Sequence, residues 1–364
     1  MKKTTFYEIH KRLGAKIVPF AGFEMPIQYS SIIQETIHVR KSVGVFDVSH
    51  MGEIIVHGKD ALNFVQKVTT NDASKLQIGK VQYSAFCYED GGIVDDLLVY
   101  NFGEYFMLVV NASNKDKDLN WLKSNLSGDV QLTDRSDDIS LLAVQGPNSL
   151  KTLQKLTSIN LSEIKYYSFV NGRLADVDMT ISRTGYTGEL GFELYFKSEV
   201  SLSEKIWNEI FAAGKEFDIK PVGLGARDNL RLEMGYCLYG NDIDQTTNPL
   251  EANLGWITKL NKPDFIGKEA LLKISQNGIS RKLVGFVLSD PKAFPRKDYD
   301  VMFDGNVVGR VTSGTFSPNL ERGIGMGYIK SAYAEEGNII GIKIRNQIFE
   351  AKIVRPPFII RKND

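Results

Sequence analysis

The chain has 364 residues, and its 44 Lys and Arg balance 44 Asp and Glu, so the formal net charge is zero. This length suggests two or three domains, and 43% hydrophobic with 24% charged residues excludes wholesale disorder. Zero net charge argues against nucleic-acid binding through a broad basic face, and the apolar runs are too short to span a membrane. The amino terminus lacks an apolar signal core, and Cys87 and Cys237 form no CxxC pair. We therefore expect a cytoplasmic protein, with a monomer as the default state.

The order of predicted helices and strands in the first half of the chain is typical of an α+β domain. The first fifty residues look helical, and Ser31-x-x-Gln34 is a capping box for a helix that should end near Gly44. Strand, helix, meander and helix then follow, which is typical of helices packed on one face of an antiparallel sheet. These elements are a strand at 53–57, a helix at 60–68, three strands within 81–111 and a helix from 113.

A second α+β stretch precedes an all-β end. Its predicted strands lie around 141–144, 177–181 and 192–196, and its helices follow residue 149 and span 202–217, 225–234 and 268–274. After Arg281 the helical period disappears, and short apolar runs alternate with glycine turns. This pattern predicts a small carboxy-terminal barrel or sandwich.

Two adjacent carboxylates interrupt an apolar strand at Asp95 and Asp96. Side chains alternate along a strand, so the two must face opposite ways, and both faces are otherwise apolar. At least one carboxyl group should therefore be partly buried, which suits acid–base or orienting chemistry. A turn residue followed by a residue at the sheet margin would explain the pair equally well.

Two glycine-rich segments carry polar side chains. Residues 182–193 read SRTGYTGELGFE, and the glycines fit either close approach to a ligand or a plain long hairpin. Residues 223–235 hold Arg227 near a predicted helix start, where a guanidinium group can bind a carboxylate or stack on a flat ring. A surface salt bridge of Arg227 with Asp228 or Glu233 is the simpler reading of that segment.

Several kinds of chemistry find no support in the sequence. There is no P-loop and no nucleophile elbow, and the four histidines show no metal-type spacing to cysteine or carboxylate, so we predict no metal. A site of this composition should bind a large organic molecule through backbone groups, aromatic rings and a few charges.

Taken together, several long motifs in one order resemble the aminomethyltransferase (T-protein) family of the glycine cleavage system. They are FAGFEMP at 20–26, GVFDVSHMGE at 44–53, GGIVDDL at 91–97, SRTGYTGE at 182–189, GARD at 225–228 and TSGTFSP at 312–318. The resemblance runs through nearly the whole chain, and such a series of motifs is far more specific than any short pattern.

The resemblance implies an α+β fold: a three-domain cloverleaf with antiparallel sheets, of ferredoxin-like and folate-binding type, and a C-terminal β-barrel. The domains expected from it are interleaved in sequence. Residues 1–50 with 138–235 form a folate-binding domain, residues 51–137 with 236–277 form a second α+β domain, and residues 278–364 form the barrel.

The resemblance also implies a reaction, in which the methylene carbon of an aminomethyl group on the lipoylated H-protein passes to tetrahydrofolate and ammonia is released. Asp96 matches the family's essential aspartate beside the reacting folate nitrogens. Other positions match the folate pocket, with Glu193 pairing the pterin edge and Arg227 anchoring the cofactor. These positions are Tyr83, Asn111, Tyr166, Tyr186, Glu193, Arg227 and, where the chain diverges near its end, Arg361.

Two relatives of the same superfamily are alternatives: a folate-dependent demethylase and a non-catalytic folate-binding protein of iron–sulfur maintenance. Asp95-Asp96 and residues 237–242 fit the glycine-cleavage enzyme better than a demethylase. The maintenance branch carries a lysine-glycine-cysteine-tyrosine segment, where this chain has EMGYCLYG at 233–240. A flavin-dependent relative would usually need an additional oxidase domain, for which this length has no room.

Overall fold

The computed structural model describes residues 1–360, and its α-helices are short. They are α1 (Tyr7–Arg12), α2 (Ile32–Lys41), α3 (Ala61–Val68), α4 (Lys115–Ser124), α5 (Ser149–Gln154), α6 (Val200–Ala213), α7 (Leu224–Glu233) and α8 (Lys268–Asn277). The predicted cap of α2 is confirmed, because the Gln34 backbone N–H donates to Ser31 Oγ at 3.2 Å. The helix ends at Lys41, a little before the predicted Gly44.

The strands before residue 222 are mostly short. They are β1 (Lys16–Phe20), β2 (Phe23–Gln28), β3 (Gly44–Asp47), β4 (Gly52–His57), β5 (Val81–Cys87), β6 (Ile93–Asn101), β7 (Tyr105–Val110), β8 (Gln131–Asp134), β9 (Ile139–Gln145), β10 (Phe169–Leu174), β11 (Val177–Ser182), β12 (Gly191–Lys197) and β13 (Lys220–Pro221). The prediction that the first fifty residues are helical is therefore wrong for β1 to β3. β1 and β2 pair through a turn in which Ala21 and Gly22 have φ of 48° and 82°.

These strands form antiparallel sheets packed against helices, as the sequence predicts. A six-stranded sheet has the order β10-β11-β12-β9-β3-β13, and a five-stranded sheet has the order β5-β6-β7-β4-β8. Only the short β13 pairs in parallel among the described strands of the first sheet. One face of that sheet is apolar and packs on α6, whose Ile206, Trp207 and Ile210 are buried. Burial of this face stabilises the sheet and leaves the other face for polar groups.

The carboxy-terminal strands close into a barrel, which confirms the predicted β-domain. They are β14 (Arg281–Leu288), β15 (Asp300–Phe303), β16 (Asn306–Ser317), β17 (Arg322–Lys330), β18 (Ile339–Ile344) and β19 (Gln347–Val354). The barrel order is β14-β17-β16-β15-β18-β19. Its interior is apolar, with Phe286, Val301, Ile342 and Ala351 fully buried, so side chains fill the barrel.

The chain forms two compact units whose segments alternate along the sequence. The first comprises residues 1–66, 72–83 and 97–227, and the second comprises residues 67–71, 84–96 and 228–364. The interleaving in three domains expected from the family resemblance stays a prediction.

Candidate functional site

The hairpin between β11 and β12 places a carboxylate on the polar face of the six-stranded sheet. Ser182 and Glu193 are directly paired across the two strands. Phe192 and Leu194 belong to the apolar core, so strand alternation turns Glu193 to the opposite face. Glu193 is half-buried there.

The glycines of this hairpin have a local structural reason. A Cβ atom at Gly185 would lie 2.1 Å from Gln145 Oε1. Gly188 has a φ of 77°. The Gln145 side chain accepts a hydrogen bond from Thr187 Oγ1 at 2.8 Å and donates to the Thr184 carbonyl at 3.2 Å. Packing around this glutamine therefore explains the glycine at 185, and it also holds the hairpin in one conformation.

The Glu193 carboxyl group accepts a hydrogen bond from a hydroxyl group and lies near the positive charge of Arg227. Thr184 Oγ1 donates a hydrogen bond to Glu193 Oε2. Burial raises the pKa of Glu193 above its ordinary value, whereas the hydrogen bond from Thr184 and the charge of Arg227 act in the opposite direction. Thr184 occupies the Oε2 oxygen of this carboxylate, and a carboxylate can accept a ligand hydrogen bond on its other oxygen, Oε1.

Arg227 stacks on an aromatic ring. It lies in α7, and its guanidinium carbon is 4.5 Å from the centre of the Tyr186 ring, within cation–π distance. The structure brings together in this way three of the predicted residues, Tyr186, Glu193 and Arg227. The salt bridge expected for Asp228 is made by Arg231, whose Nε lies 2.8 Å from Asp228 Oδ1.

His50 is a functional candidate that the sequence analysis did not select. It is only 4% exposed, and its Nδ1 is buried without a hydrogen-bond partner in the described part of the chain. Burial first, and then the charge of Arg227, lower the pKa of His50 to about 4, although Asp47 opposes the shift. His50 is therefore a neutral imidazole at physiological pH, packed edge-on against Phe20.

Glu53 is a second buried group that the sequence analysis missed. It is 1% exposed, and neither carboxyl oxygen has a hydrogen-bond partner among residues 1–360. Burial raises its pKa well above the ordinary value; Asp134 and Glu193 add to the shift and Lys115 opposes it. Burial therefore favours the neutral carboxylic acid form of Glu53. The available signal was a single carboxylate in the otherwise apolar strand β4.

The other predicted pocket residues of the first unit lie on separate elements. Tyr83 is in β5, Asn111 directly follows β7, and both are half-buried. Tyr166 is 62% exposed, and its ring packs on that of Tyr167 at 4.8 Å. Arg361 lies outside the described residues.

The two adjacent aspartates occupy different environments, as strand alternation predicts. Asp95 is 0% exposed and Asp96 is half-buried, both in the β6 strand. Asp96 contributes to a negative environment around the buried thiol of Cys237, whose pKa is raised by burial first and then by Asp242 and Asp96. Asp96 is therefore the more accessible carboxylate of the pair.

Within residues 1–360, no group of three or more His, Cys, Asp or Glu side chains is arranged to hold a metal ion. In the same range no helix has the length and apolar character needed to cross a bilayer.

Comparison with known proteins assigns the family. The family profile described as the GCVT N-terminal domain matches residues 6–262, and the profile described as the glycine cleavage T-protein C-terminal barrel domain matches residues 281–359. An aminomethyltransferase of Halothermothrix orenii is 51% identical over 99% of this chain and 100% of its own, and one of Flavobacterium psychrophilum is 53% identical over 98% and 99%. The crystal structure of glycine cleavage system aminomethyltransferase T from Bartonella henselae has a TM-score of 0.92 at 34% identity, covering 99% of this chain and 98% of that one.

This similarity in sequence and fold, along the entire length of the relatives, defines an enzyme of the aminomethyltransferase class. The chain belongs to the glycine cleavage T-protein family.

Proposed function

We propose that this protein transfers the methylene carbon from the aminomethyl-dihydrolipoyl arm of H-protein to tetrahydrofolate. The products are 5,10-methylenetetrahydrofolate, ammonia and dihydrolipoyl H-protein. Full-length identity above 50% to proteins named aminomethyltransferase supports this reaction. The structural observation that carries it is the Glu193 carboxylate, held on one oxygen by Thr184 and close enough to Arg227 to sense its charge.

The residues present fit a reduced folate. A pterin ring offers adjacent N–H donors along one edge, and Glu193 Oε1 is an acceptor on a carboxylate fixed by its other oxygen. The Arg227 guanidinium helps to anchor the cofactor, and the ring of Tyr186 is a flat apolar surface beside it. Tetrahydrofolate supplies the two nitrogen atoms that receive the carbon.

Asp96 is assigned the chemical role in this proposal. Its half-buried carboxylate would accept a hydrogen bond from a folate N–H, orient the molecule and carry a proton as ammonia leaves. Asp95 is buried on the other face of the strand and has a structural role. Tyr83, Asn111 and Tyr166 complete the proposed pocket, and Arg361 stays a proposal from sequence alone.

We also propose that the enzyme works in the reducing environment of the cytoplasm. It is a monomer that binds its carrier protein transiently. Cys87 and Cys237 support the setting, because both are free thiols and buried. Sedimentation of the purified protein with and without H-protein measures the oligomeric state.

A coupled assay with purified lipoylated H-protein, tetrahydrofolate and ammonia tests the reaction in both directions. We expect methylenetetrahydrofolate and free ammonia to form from the aminomethyl carrier, and H-protein without lipoate to support neither direction. Tetrahydrofolate binding without transfer would favour a maintenance protein instead. One-carbon transfer from sarcosine or dimethylglycine, with no use of H-protein, would identify a demethylase.

A further inference from the structure

Within the described residues, four buried hydroxyl groups form one hydrogen-bonded chain that ends on a carboxylate. Tyr195 Oη lies 3.0 Å from Tyr100 Oη, which lies 3.1 Å from Ser182 Oγ. Ser182 Oγ lies 2.9 Å from Thr184 Oγ1, and Thr184 donates to Glu193 Oε2. The four hydroxyl-bearing residues are between 0% and 4% exposed. Hydroxyl groups are costly to bury unless they are paired, and the hydrogen bonds of this chain offset that cost.

The carboxylate determines the direction of the chain. Each hydroxyl group has one hydrogen to donate, and an ionised carboxylate can only accept. Thr184 must therefore give its hydrogen to Glu193 and accept one from Ser182. Tyr100 then donates its single hydrogen to Ser182 at 3.1 Å or directly to Thr184 at 3.3 Å, and Tyr195 donates to Tyr100. Every hydroxyl group then donates once, and hydrogen bonds aligned in one direction strengthen one another.

Few charged groups act on the end of this chain. Arg227 of α7 favours the ionised form of Glu193. Glu53 of β4 is close enough to sense the charge of Glu193, and burial favours the neutral form of Glu53. Burial also raises the pKa values of Tyr100 and Tyr195, so both phenols stay protonated in the physiological range. Thr184 and Arg227 are thus the two groups that offset the burial of the Glu193 charge.

We infer that the hydroxyl chain positions Glu193 for its ligand and sets how tightly, and over which pH range, reduced folate binds. By fixing Oε2, Thr184 leaves Oε1 directed at the pterin edge. Thr184 is therefore a positioning residue that affects folate binding through Glu193. Ser182 and Tyr100 in turn orient the Thr184 hydroxyl through hydrogen bonds. This inference rests on the proposed function, in which Glu193 pairs with the pterin.

The sign of the pH effect follows from the hydrogen bond. Pterin N–H groups need an ionised acceptor, so affinity falls when acid protonates Glu193. The Thr184 hydroxyl donates to the ionised form and so lowers the pKa of Glu193 against the effect of burial. Without this hydroxyl, Glu193 takes up its proton at a higher pH, and the acidic limit of folate binding moves upward.

Calorimetric titration with 5-formyltetrahydrofolate, a stable reduced folate, from pH 5 to 8 tests the inference. At pH 7 we expect Thr184→Val to weaken binding about tenfold or more, as for loss of a hydrogen bond to a charged group, and to raise the acid midpoint by about one pH unit. Tyr100→Phe should weaken binding less, and Tyr195→Phe least, because they lie further along the chain. Thr184→Ser keeps the hydroxyl group and should restore wild-type binding.

Thr152→Val is a matched control, because Thr152 is equally buried and its hydroxyl donates only to the Asn148 carbonyl at 2.9 Å. The Thr152→Val variant should lose stability, but its folate affinity and the acid midpoint of folate binding should not change. If wild type and Thr184→Val share one affinity and one midpoint, the inference is wrong, whereas failure of the wild type to bind folate overturns the proposed function. If Thr184→Val does not fold, the other variants test the inference. Equal loss of folate affinity in Tyr100→Phe and Tyr195→Phe contradicts it, because the effect should decrease with distance along the chain. Weak folate binding by a folded Thr184→Ser also contradicts it.

Discussion

The guanidinium carbon of Arg227 lies 4.5 Å from the centre of the Tyr186 ring. The ring packs against the flat face of the Arg227 guanidinium group. The N–H groups along the edge of the guanidinium can then bind other partners. The same charge acts on His50, which is buried without a partner for Nδ1 in the described structure. Both effects can be measured separately.

We expect Arg227→Met to raise the pKa of His50 above about 4, because a positive charge that disfavours the imidazolium is removed. The pKa should remain below 6.5, since burial is the larger cause of the shift. Titration of the imidazole by NMR measures it directly. An unchanged pKa in the folded variant would mean that Arg227 does not act on this ring.

Arg227→Lys should weaken tetrahydrofolate binding about tenfold, because lysine keeps the charge but loses the planar fork and much of the stacking on Tyr186. Arg183→Lys is the control, since Arg183 is half-buried in the same hairpin and donates to the Ile164 carbonyl. Calorimetry compares the two. Equal affinities for both variants would mean that Arg227 does not anchor the cofactor.

The adjacent aspartates should separate catalysis from stability. Asp96→Asn removes the carboxylate but keeps its size, so turnover should fall about 100- to 10,000-fold with little change in folate affinity. Asp95→Asn changes a fully buried group and should act mainly on the melting temperature. Thermal melts precede the kinetics. An active Asp96→Asn beside an inactive, folded Asp95→Asn would reverse the two roles.

Glu53→Gln should change the dependence of stability on pH. Because the folded state holds a proton that the unfolded chain releases above about pH 4.3, Glu53 makes stability fall with rising pH, by about 1.4 kcal/mol per pH unit. This loss continues until the raised pKa of the folded state is reached. The amide cannot ionise, so the stability of the variant relative to wild type should rise with pH, from about pH 4.3 to the raised pKa of folded Glu53. Denaturant melts at several pH values measure the difference, and parallel curves would show that Glu53 is ionised in the folded state.

Much of the fold could be predicted from local pattern. The meander of β5 to β7, the capped helix α2 and the barrel all carry turn residues or hydrophobic periods that act over short distances. The first fifty residues look helical from their sequence, whereas β1 and β2 pair as strands that contain Pro19 and Pro26. Proline is tolerated in this two-stranded sheet, where not every backbone N–H is needed for pairing.

The candidate site was predictable only in part. The family motifs identify Glu193, Arg227 and Asp96, but no local pattern predicts the hydroxyl chain. Tyr100 meets Ser182 and Tyr195 across 82 and 95 residues of sequence, so this contact depends on how distant strands pack. The single carboxylate in the apolar strand β4 marks Glu53 in the sequence, but it does not predict burial without a hydrogen bond, since carboxylates are ordinarily placed at the surface.

The alternation of the two units along the chain has a consequence during synthesis. Residues 84–96, which end on Asp96, leave the ribosome about 130 residues before the last segment of their unit begins at Asp228, a delay of roughly 7–26 s at about 5–20 residues per second. During that interval Phe86, Ile93 and Val94, all buried in the finished protein, lack most of their unit. The nascent chain should therefore expose apolar side chains at this stage, and fragments cut at a single point should not fold as independent units.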